Sequence, residues 1–324
     1  MITLKQAQGM VNNELCKLNI GSTPKELYDP IDYVINLGGK RIRPALAILS
    51  CNLFSDNVNS SLGPAVALEV FHNFTLVHDD IMDNANLRRG KETVHIRWNN
   101  NVAILSGDAM CIKAYEKLSE CDERYLKKVL LVFNETALKV CEGQQYDMNF
   151  ENRQSVTEVE YLKMIELKTS VLLAGSLKIG AIIGGASDDE AELLYNFGLN
   201  LGMAFQLQDD LLDVFGDESI LGKEIGKDII SNKKTYLLIK ALEIATGSQL
   251  NTLKNWLLSK NFNNDDKIKG VQTIYLGLGI KELTLKAIEK RIVESLCDLK
   301  KVSVLDERKV ELTNFIYSMR NRKY

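Results

Sequence analysis

The amino-acid sequence predicts an all-α protein, on three observations. All four prolines, Pro24, Pro30, Pro44 and Pro64, lie in the first fifth of the chain, leaving 260 residues without a helix breaker. Apolar side chains recur at three- and four-residue spacing through Val102, Leu105, Ala109, Ile112 and Tyr115, and the same period runs through Tyr195, Leu199, Met203 and Gln206. No alternating run bracketed by turn pairs competes with that period.

The polar stretches 99–101, 149–155, 187–189, 217–223 and 259–267 read as helix connections, and none has the length or the Ser/Pro content of a domain linker. Ser187 followed by Glu190 forms a capping-box pattern that starts a helix. The most apolar stretch, 171–185, contains Lys178 and falls short of the roughly 18 to 20 residues a membrane span requires, so it reads as a core helix. Gly277-Leu278-Gly279 lacks the third glycine of a dinucleotide fingerprint and 222–228 lacks Walker spacing, which leaves both as connections.

A chain of 324 residues with 45% hydrophobic and 26% charged content has the make-up of a soluble globular protein with ample core. Its net charge of -3 argues against a general nucleic-acid binder, whose footprint is strongly basic. Cys16, Cys51, Cys111, Cys121, Cys141 and Cys297 are scattered without C-x-x-C spacing. Residues 1–15 lack the basic and apolar regions of a secretory leader. The expectation is a cytoplasmic protein with reduced, mostly buried thiols and no membrane segment.

Two acidic clusters of one pattern stand out. Asp79-Asp80-Ile81-Met82-Asp83 and Asp209-Asp210-Leu211-Leu212-Asp213 lie 130 residues apart and each places three carboxylates in five residues. On a helix, residues four apart share a face, so Asp79 with Asp83, and Asp209 with Asp213, form two-pronged oxygen ligands. Such clusters repel themselves unless a multivalent cation is present. Magnesium takes one or two carboxylates and completes its octahedron with water and substrate phosphate, so two acidic helices holding a diphosphate fit its demand. A diphosphate also needs cations, and Arg suits bidentate phosphate binding while Lys serves as a point charge. They occur in compact sets: Lys40, Arg41 and Arg43, then Arg88 and Arg89 just past Asp83, then Lys168, Lys223, Lys227 and Lys233.

The strings GGKRIRP, EVFHNFTLVHDDIMDNANLRRGKETVH, Gly107-Asp108, Gly143-Gln144, LKTS, FQLQDDLLDVFGD and GKEIGKD with NKKTY follow one another from about residue 28 to 240. In that order and spacing they resemble the trans-isoprenyl diphosphate synthases, or polyprenyl synthetases, of the short-chain type that makes geranylgeranyl or farnesyl diphosphate. The resemblance implies a single domain over residues 1–324, an isoprenoid-synthase bundle of ten or more helices around a central cavity, generally homodimeric. It implies a magnesium-dependent head-to-tail prenyl transfer, with three ions per site once diphosphate is bound. Isopentenyl diphosphate would be condensed with dimethylallyl, geranyl or farnesyl diphosphate to a C15–C20 product, C20 favoured.

Carried over by residue, the resemblance makes Asp79, Asp83 and Asp209 the principal magnesium ligands, supported by Asp80, Asp210 and Asp213. Arg88, Lys168, Gln206 and Lys223 would hold the allylic diphosphate, with Thr169 beside Lys168. Gly39, Lys40, Arg43, His72 and Arg89 would form the isopentenyl diphosphate site. Lys227 and Lys233 match a loop that closes over the allylic end, and the basic tail 320–323 resembles tails that help close the other site.

Phe74 and Thr75, five and four residues before Asp79, occupy the places where family members often set chain length. Five residues are about 7.5 Å along a helix, toward where a growing chain would head, although an ideal helix points Phe74 roughly 140° away from Asp79. Phe71 and Phe74 also fit as plain core residues. Leu237 stands where a proline is common and Glu92 interrupts the usual Arg-Arg-Gly-x-Pro; neither replaces a ligand. Rival readings are a terpene cyclase of the same fold, whose second acidic motif has another pattern, and a non-catalytic partner subunit, which usually loses one motif. A His-Asp phosphohydrolase would need metal-binding histidines beyond His72, His78 and His95.

Overall fold

The structure, a computed structural model, describes residues 1–217 and 225–320. It is all-α in architecture, as the long proline-free run after Pro64 implies, and by internal contacts the chain divides into two compact units. The first comprises Met1–Thr136, Gly175–Tyr195 and Val302–Leu312, and the second Ala137–Ala174, Asn196–Lys301 and Thr313–Tyr324.

In the first unit, α1 (Leu4–Leu15), α2 (Lys25–Asn36), α3 (Ile42–Phe54), α4 (Leu62–Met82), the single turn α5 (Val94–Arg97) and α6 (Asn100–Leu118) follow in order. α4 is the organising element. Its N-terminal half, from Pro64 to Phe71, is buried on every side, which suits a helix packed against α6, α3, α1 and α2 at once. Pro64 sits in the first turn, where its missing N–H costs no helical bond. Local signals fix the ends of neighbouring helices. Thr3 and Gln6 form a reciprocal capping box on α1, and Asn99 accepts from the Val102 N–H at the start of α6. Between α4 and α5 lies a miniature hairpin, Leu87–Arg88 paired with Lys91–Glu92, which the helix-only reading of the sequence lacked. Arg89 (φ 54°) and Gly90 (φ 73°) form its two-residue turn, both left-handed as that turn type requires.

The second unit takes the C-terminal part of α7 (Glu123–Glu151), α8 (Glu158–Ile165), a π-helical turn (Glu166–Ser170), the start of α9 (Val171–Gly184) and most of α10 (Asp188–Phe215). It continues through the helices Lys227–Ile230, Tyr236–Ile244, Gly247–Leu258, Asn264–Gly277 and Ile280–Lys301. Thr157 and Glu160 cap α8 reciprocally, and the Ser187/Glu190 box expected from the sequence caps α10. Because the π turn joins α8 to α9 without a break, helix runs continuously over Glu158–Gly184 for 27 residues, longer than the sequence suggested. That length and composition would suffice to cross a membrane, but 78% of its apolar window is buried inside the protein, as in a core helix.

All six cysteines are free thiols, but the expectation that most are buried is wrong. Only Cys51 and Cys121 are buried, Cys111 is intermediate, and Cys16, Cys141 and Cys297 are exposed. Cys141 and Cys297 fall on the solvent faces of α7 and Ile280–Lys301, faces that their apolar character alone does not disclose.

Candidate active site

In the first unit the acidic cluster ends α4. Asp80 is buried, and Arg88 on the hairpin grips it: Nε donates to Oδ1 and Oδ2 at 2.8 and 2.9 Å while Nη2 lies 2.7 Å from Oδ1. The same Nη2 lies 3.6 Å from Asp79 Oδ2. Burial pushes the Asp80 carboxyl up against the pull of Arg88. Burial disfavours the Arg88 charge in turn, but Asp80, Asp79 and Asp83 outweigh it and hold the guanidinium more firmly protonated than usual. Asp79 is half-buried, and Asp83, which caps the helix with its N–H on the Asp79 carbonyl (2.8 Å), is exposed.

A cationic site lies beside this cluster in the same unit. Arg41 adopts φ 47° and is buried, with Nη1 on Glu69 Oε1 (2.7 Å), Nη2 on the Ile35 carbonyl (2.7 Å) and Nε on Asn12 Oδ1 (3.2 Å). Glu69 is itself buried and accepts from the Asn73 amide at 3.3 Å. This clamp fixes the turn from which Lys40 and Arg43 project. Arg43 Nη1 lies 3.0 Å from His72 Nε2, one turn after Glu69 on α4. Burial and the fields of Arg43, Arg89, Arg88 and Arg41 push the His72 imidazole well below its ordinary range, so it stays neutral. Burial lowers the Arg43 guanidinium to about 10 against the pull of Glu69. Gly39 has φ 146°, a conformation that strains residues with a side chain, and the Arg89 guanidinium lies over it, Nη1 2.8 Å from where a Cβ would stand. Gly39, Arg43, His72 and Arg89 are therefore brought together in the first unit. Phe74 is half-buried, its ring 5.4 Å from Phe71 and 4.8 Å from His78, and Thr75 Oγ1 donates back to the His72 carbonyl.

In the second unit the π-helical turn carries Lys168 and Thr169; such turns are frequent at functional sites because they re-aim side chains out of helical register. Lys168 Nζ bonds Asp147 Oδ2 at 2.7 Å. Thr169 Oγ1 donates to Gln206 Oε1 (3.1 Å), the Gln206 amide donates to Asp210 Oδ1 (3.0 Å), and the Tyr161 hydroxyl donates to Asp210 Oδ2. Asp210 is buried, and desolvation raises its carboxyl to about 6 despite these donors. Asp213, buried as well, accepts the Asp228 N–H at 3.0 Å on Oδ2 and the Gly226 N–H at 2.6 Å on its carbonyl. The Asp228 carboxyl rises to about 7, through burial first and the repulsion of Asp210, Asp213 and Asp209 next, against the pull of Lys233. The Lys233 N–H closes the loop on the Asp228 carbonyl (2.9 Å). Asp209 is half-buried. Lys223 and residues 321–323 of the basic tail lie outside the described residues; Arg320, the last residue of the final helix Asp306–Arg320, pairs with Glu289 at 3.0 Å.

Among the described residues no three acidic, His or Cys side chains converge into a ready-made metal cage. Magnesium binds through one or two carboxylates and substrate phosphate, and the all-oxygen donors Asp79, Asp83 and Asp209 match its hardness. Four residues of these networks escaped the sequence reading as participants, Glu69, Asp147, Tyr161 and Asp228, and Arg41, grouped there with the diphosphate cations, is instead buried and committed to Glu69, Ile35 and Asn12. Arg41 and Asp228 stood inside quoted motifs, so their positions gave a signal. Glu69, Asp147 and Tyr161 gave none, because an isolated charge or hydroxyl on a helix has no local mark of burial.

Comparison with known proteins identifies the family. The polyprenyl synthetase family model matches residues 24–275. A geranylgeranyl diphosphate synthase of Methanosarcina mazei is 45% identical over 242 residues, 74% of this chain and 75% of the relative. A crystal structure of a geranylgeranyl pyrophosphate synthase superposes with a TM-score of 0.95 at 45% identity over 100% of both chains. The corresponding enzyme from Pyrococcus horikoshii gives 0.92 at 31% identity over 99% of this chain and 97% of that one. With its two aspartate clusters and their arginine and lysine partners in this isoprenoid-synthase fold, the chain belongs to the polyprenyl synthetase family and is a prenyltransferase.

Proposed function

We propose that the chain, as a single polyprenyl synthetase domain, condenses isopentenyl diphosphate head-to-tail with dimethylallyl, geranyl or farnesyl diphosphate, releasing diphosphate and a C15–C20 product, C20 favoured. One observation carries the reading. Within each acidic cluster the second aspartate is buried and hydrogen-bonded inside the protein, Asp80 by Arg88 and Asp210 by Tyr161 and Gln206, while Asp83 is exposed and Asp79 and Asp209 are only half-buried. The buried members hold the helices in place and the accessible members serve as metal ligands. Magnesium, three ions in this reading, neutralises diphosphate charge when bound and lowers the barrier to C–O ionisation.

The protein's own groups do the rest. Arg88, Lys168, Gln206 and Lys223 orient the allylic diphosphate and stabilise the charge it gains on leaving. Lys40, Arg43, neutral His72 and Arg89 hold isopentenyl diphosphate, whose double bond attacks the allylic cation; a proton then passes to the released diphosphate. Apolar walls keep water from quenching the cation. Phe74 and Thr75 set where elongation stops. The names of relatives 45% and 42% identical, both geranylgeranyl diphosphate synthases, support C20.

A homodimer is part of this reading, supported by apolar side chains left exposed on α6 at Leu105 and Ile112 and on α7 at Leu131 and Leu138, at the same seven-residue spacing. Six free thiols support a cytoplasmic setting. The decisive experiment is incubation with isopentenyl diphosphate, magnesium and each of the C5, C10 and C15 primers, followed by product-length analysis. C20 from every primer is expected. No elongation with any primer overturns the activity, and products beyond C20 overturn the length assignment.

A further inference from the structure

A cleft of about 920 Å³ opens in the second unit between the turn at 153–157 and the helices Tyr236–Ile244 and Gly247–Leu258. It uses none of the residues assigned above to metal or diphosphate. Leu238, Ile239, Leu242, Leu250, Leu257 and Leu258 make its walls, and Leu258 is 79% exposed, an uncommon place for a leucine unless something covers it. Arg153, Lys234 and Lys254 also line it, against a single carboxylate, Glu243. Arg153 is committed to Glu160 (2.7 Å) and Glu243 to Lys240 (2.7 Å). Lys234 donates to a main-chain carbonyl, that of Glu151 at 3.3 Å, and Lys254 is exposed without an ion pair among the described residues. A mostly apolar cavity of this size with a few polar groups at its edge is the usual form of a small-molecule site. The two ammonium groups above a leucine trough select an amphiphile with an anionic head and a hydrocarbon tail.

The cleft shares lining residues with the loop that carries Asp228 and Lys233. Asn232, Leu238 and Leu257 also line a small cavity that Asp228 and Lys233 line with them. Asn232, at φ 54°, donates to the Leu257 carbonyl (3.1 Å) and accepts from Lys267 Nζ (2.7 Å). Lys267 is fully buried, capped by the Ile230 carbonyl (3.1 Å) and the Phe262 ring (4.1 Å), so it locks Asn232 to the turn that presents Lys233. A tail pressed between Leu238 and Leu257 therefore bears on the residue next to Lys233.

We propose that this cleft is a second binding site for the elongated prenyl diphosphate that the chain itself makes, and that its occupancy slows turnover through Asn232. The identity of the ligand rests on the proposed activity; the cleft and its coupling do not.

The test is calorimetric titration of the full chain with geranylgeranyl diphosphate in EDTA, where magnesium-bridged binding at the aspartate clusters is removed. One site per chain is expected to survive. Lys254→Glu, on an exposed side chain, and Leu242→Asp, on a half-exposed one, should weaken it at least tenfold. Both variants should keep initial rates within twofold of the parent when product is scarce. Added product should inhibit the parent non-competitively against farnesyl diphosphate and lose that effect in Lys254→Glu. Geranylgeraniol and inorganic diphosphate should each bind at least tenfold more weakly than the intact amphiphile. Absence of magnesium-independent binding, indifference to both variants, or equal binding of bare diphosphate overturns the proposal. Failure to elongate any primer would instead overturn the activity, a separate readout.

Discussion

Gly143→Ala tests whether the π-helical turn positions the allylic diphosphate. Gly143 lies on α7 against that turn, and a Cβ there would sit 2.2 Å from the Lys168 nitrogen and 2.6 Å from both the Leu167 carbonyl carbon and the Lys168 Cα. All three are main-chain atoms, so no rotamer change relieves the clash. Restoring ordinary contact near 3.5 Å requires α7 and the turn to separate by roughly 1 Å, an overpacking of about 1–3 kcal/mol. The displaced segment carries Lys168 and Thr169, and through Thr169 it supports Gln206 and Asp210. A misplacement of about 1 Å costs on the order of 100-fold in rate when the moved group orients substrate. Steady-state kinetics should show kcat/KM for farnesyl diphosphate down by that order and the KM for isopentenyl diphosphate within twofold, because Arg43, His72 and Arg89 belong to the first unit. Gly9→Ala, where a Cβ meets nothing within 4 Å, is the control and should leave both unchanged. Parent-like kcat/KM in Gly143→Ala, with an unshifted melting temperature, would refute the reasoning.

Asp79→Ala should lose most prenyl transfer, and near-parent rates at limiting magnesium would remove Asp79 from the ligand set. Phe74→Ala should lengthen the product and Thr75→Phe shorten it toward C15, read by chromatography of the dephosphorylated alcohols; an unchanged distribution would return Phe74 to the core. Arg41→Met alone strands the buried Glu69 carboxylate and should cost about 3–5 kcal/mol in denaturant unfolding, whereas Arg41→Met with Glu69→Leu should recover most of it. Equal loss in the single and double variants would count against a buried pair. The carboxyls of Asp210 and Asp228 are raised in the folded state, to about 6 and about 7, so folding binds protons there and stability falls as pH rises between the ordinary carboxylate range and those values. Thermal unfolding in EDTA should therefore show a lower melting temperature at pH 8 than at pH 5.5, and a flat or rising profile would contradict the burial of that cluster.

The helices and their ends were legible because their causes are local. A proline-free run of helical period, the Ser187/Glu190 box and the Asn99 cap act within a few residues. The site was legible where function demands one residue type at one spacing, as in Asp79 with Asp83 or in GGKRIRP. The hairpin that delivers Arg88 was not, since two left-handed residues in succession are visible in the backbone and Arg89 is an unusual occupant. The burial of the cysteines was misjudged for a related reason, because a thiol tolerates either face of a helix and carries no charge to declare which.

By itself the sequence determined the fold class, the two carboxylate clusters and the cations that accompany them, since period, spacing and charge are properties of a chain. Only the tertiary structure decided the division of labour inside each cluster. Asp80 and Asp79 are neighbours of identical chemistry, yet one is buried in direct hydrogen bonds with Arg88 and the other is only half-buried, at 3.6 Å from the same guanidinium. Asp210 likewise turns onto Tyr161, 49 residues away. Burial and partner choice depend on groups far apart in the chain, and a carboxylate's role follows from what surrounds it.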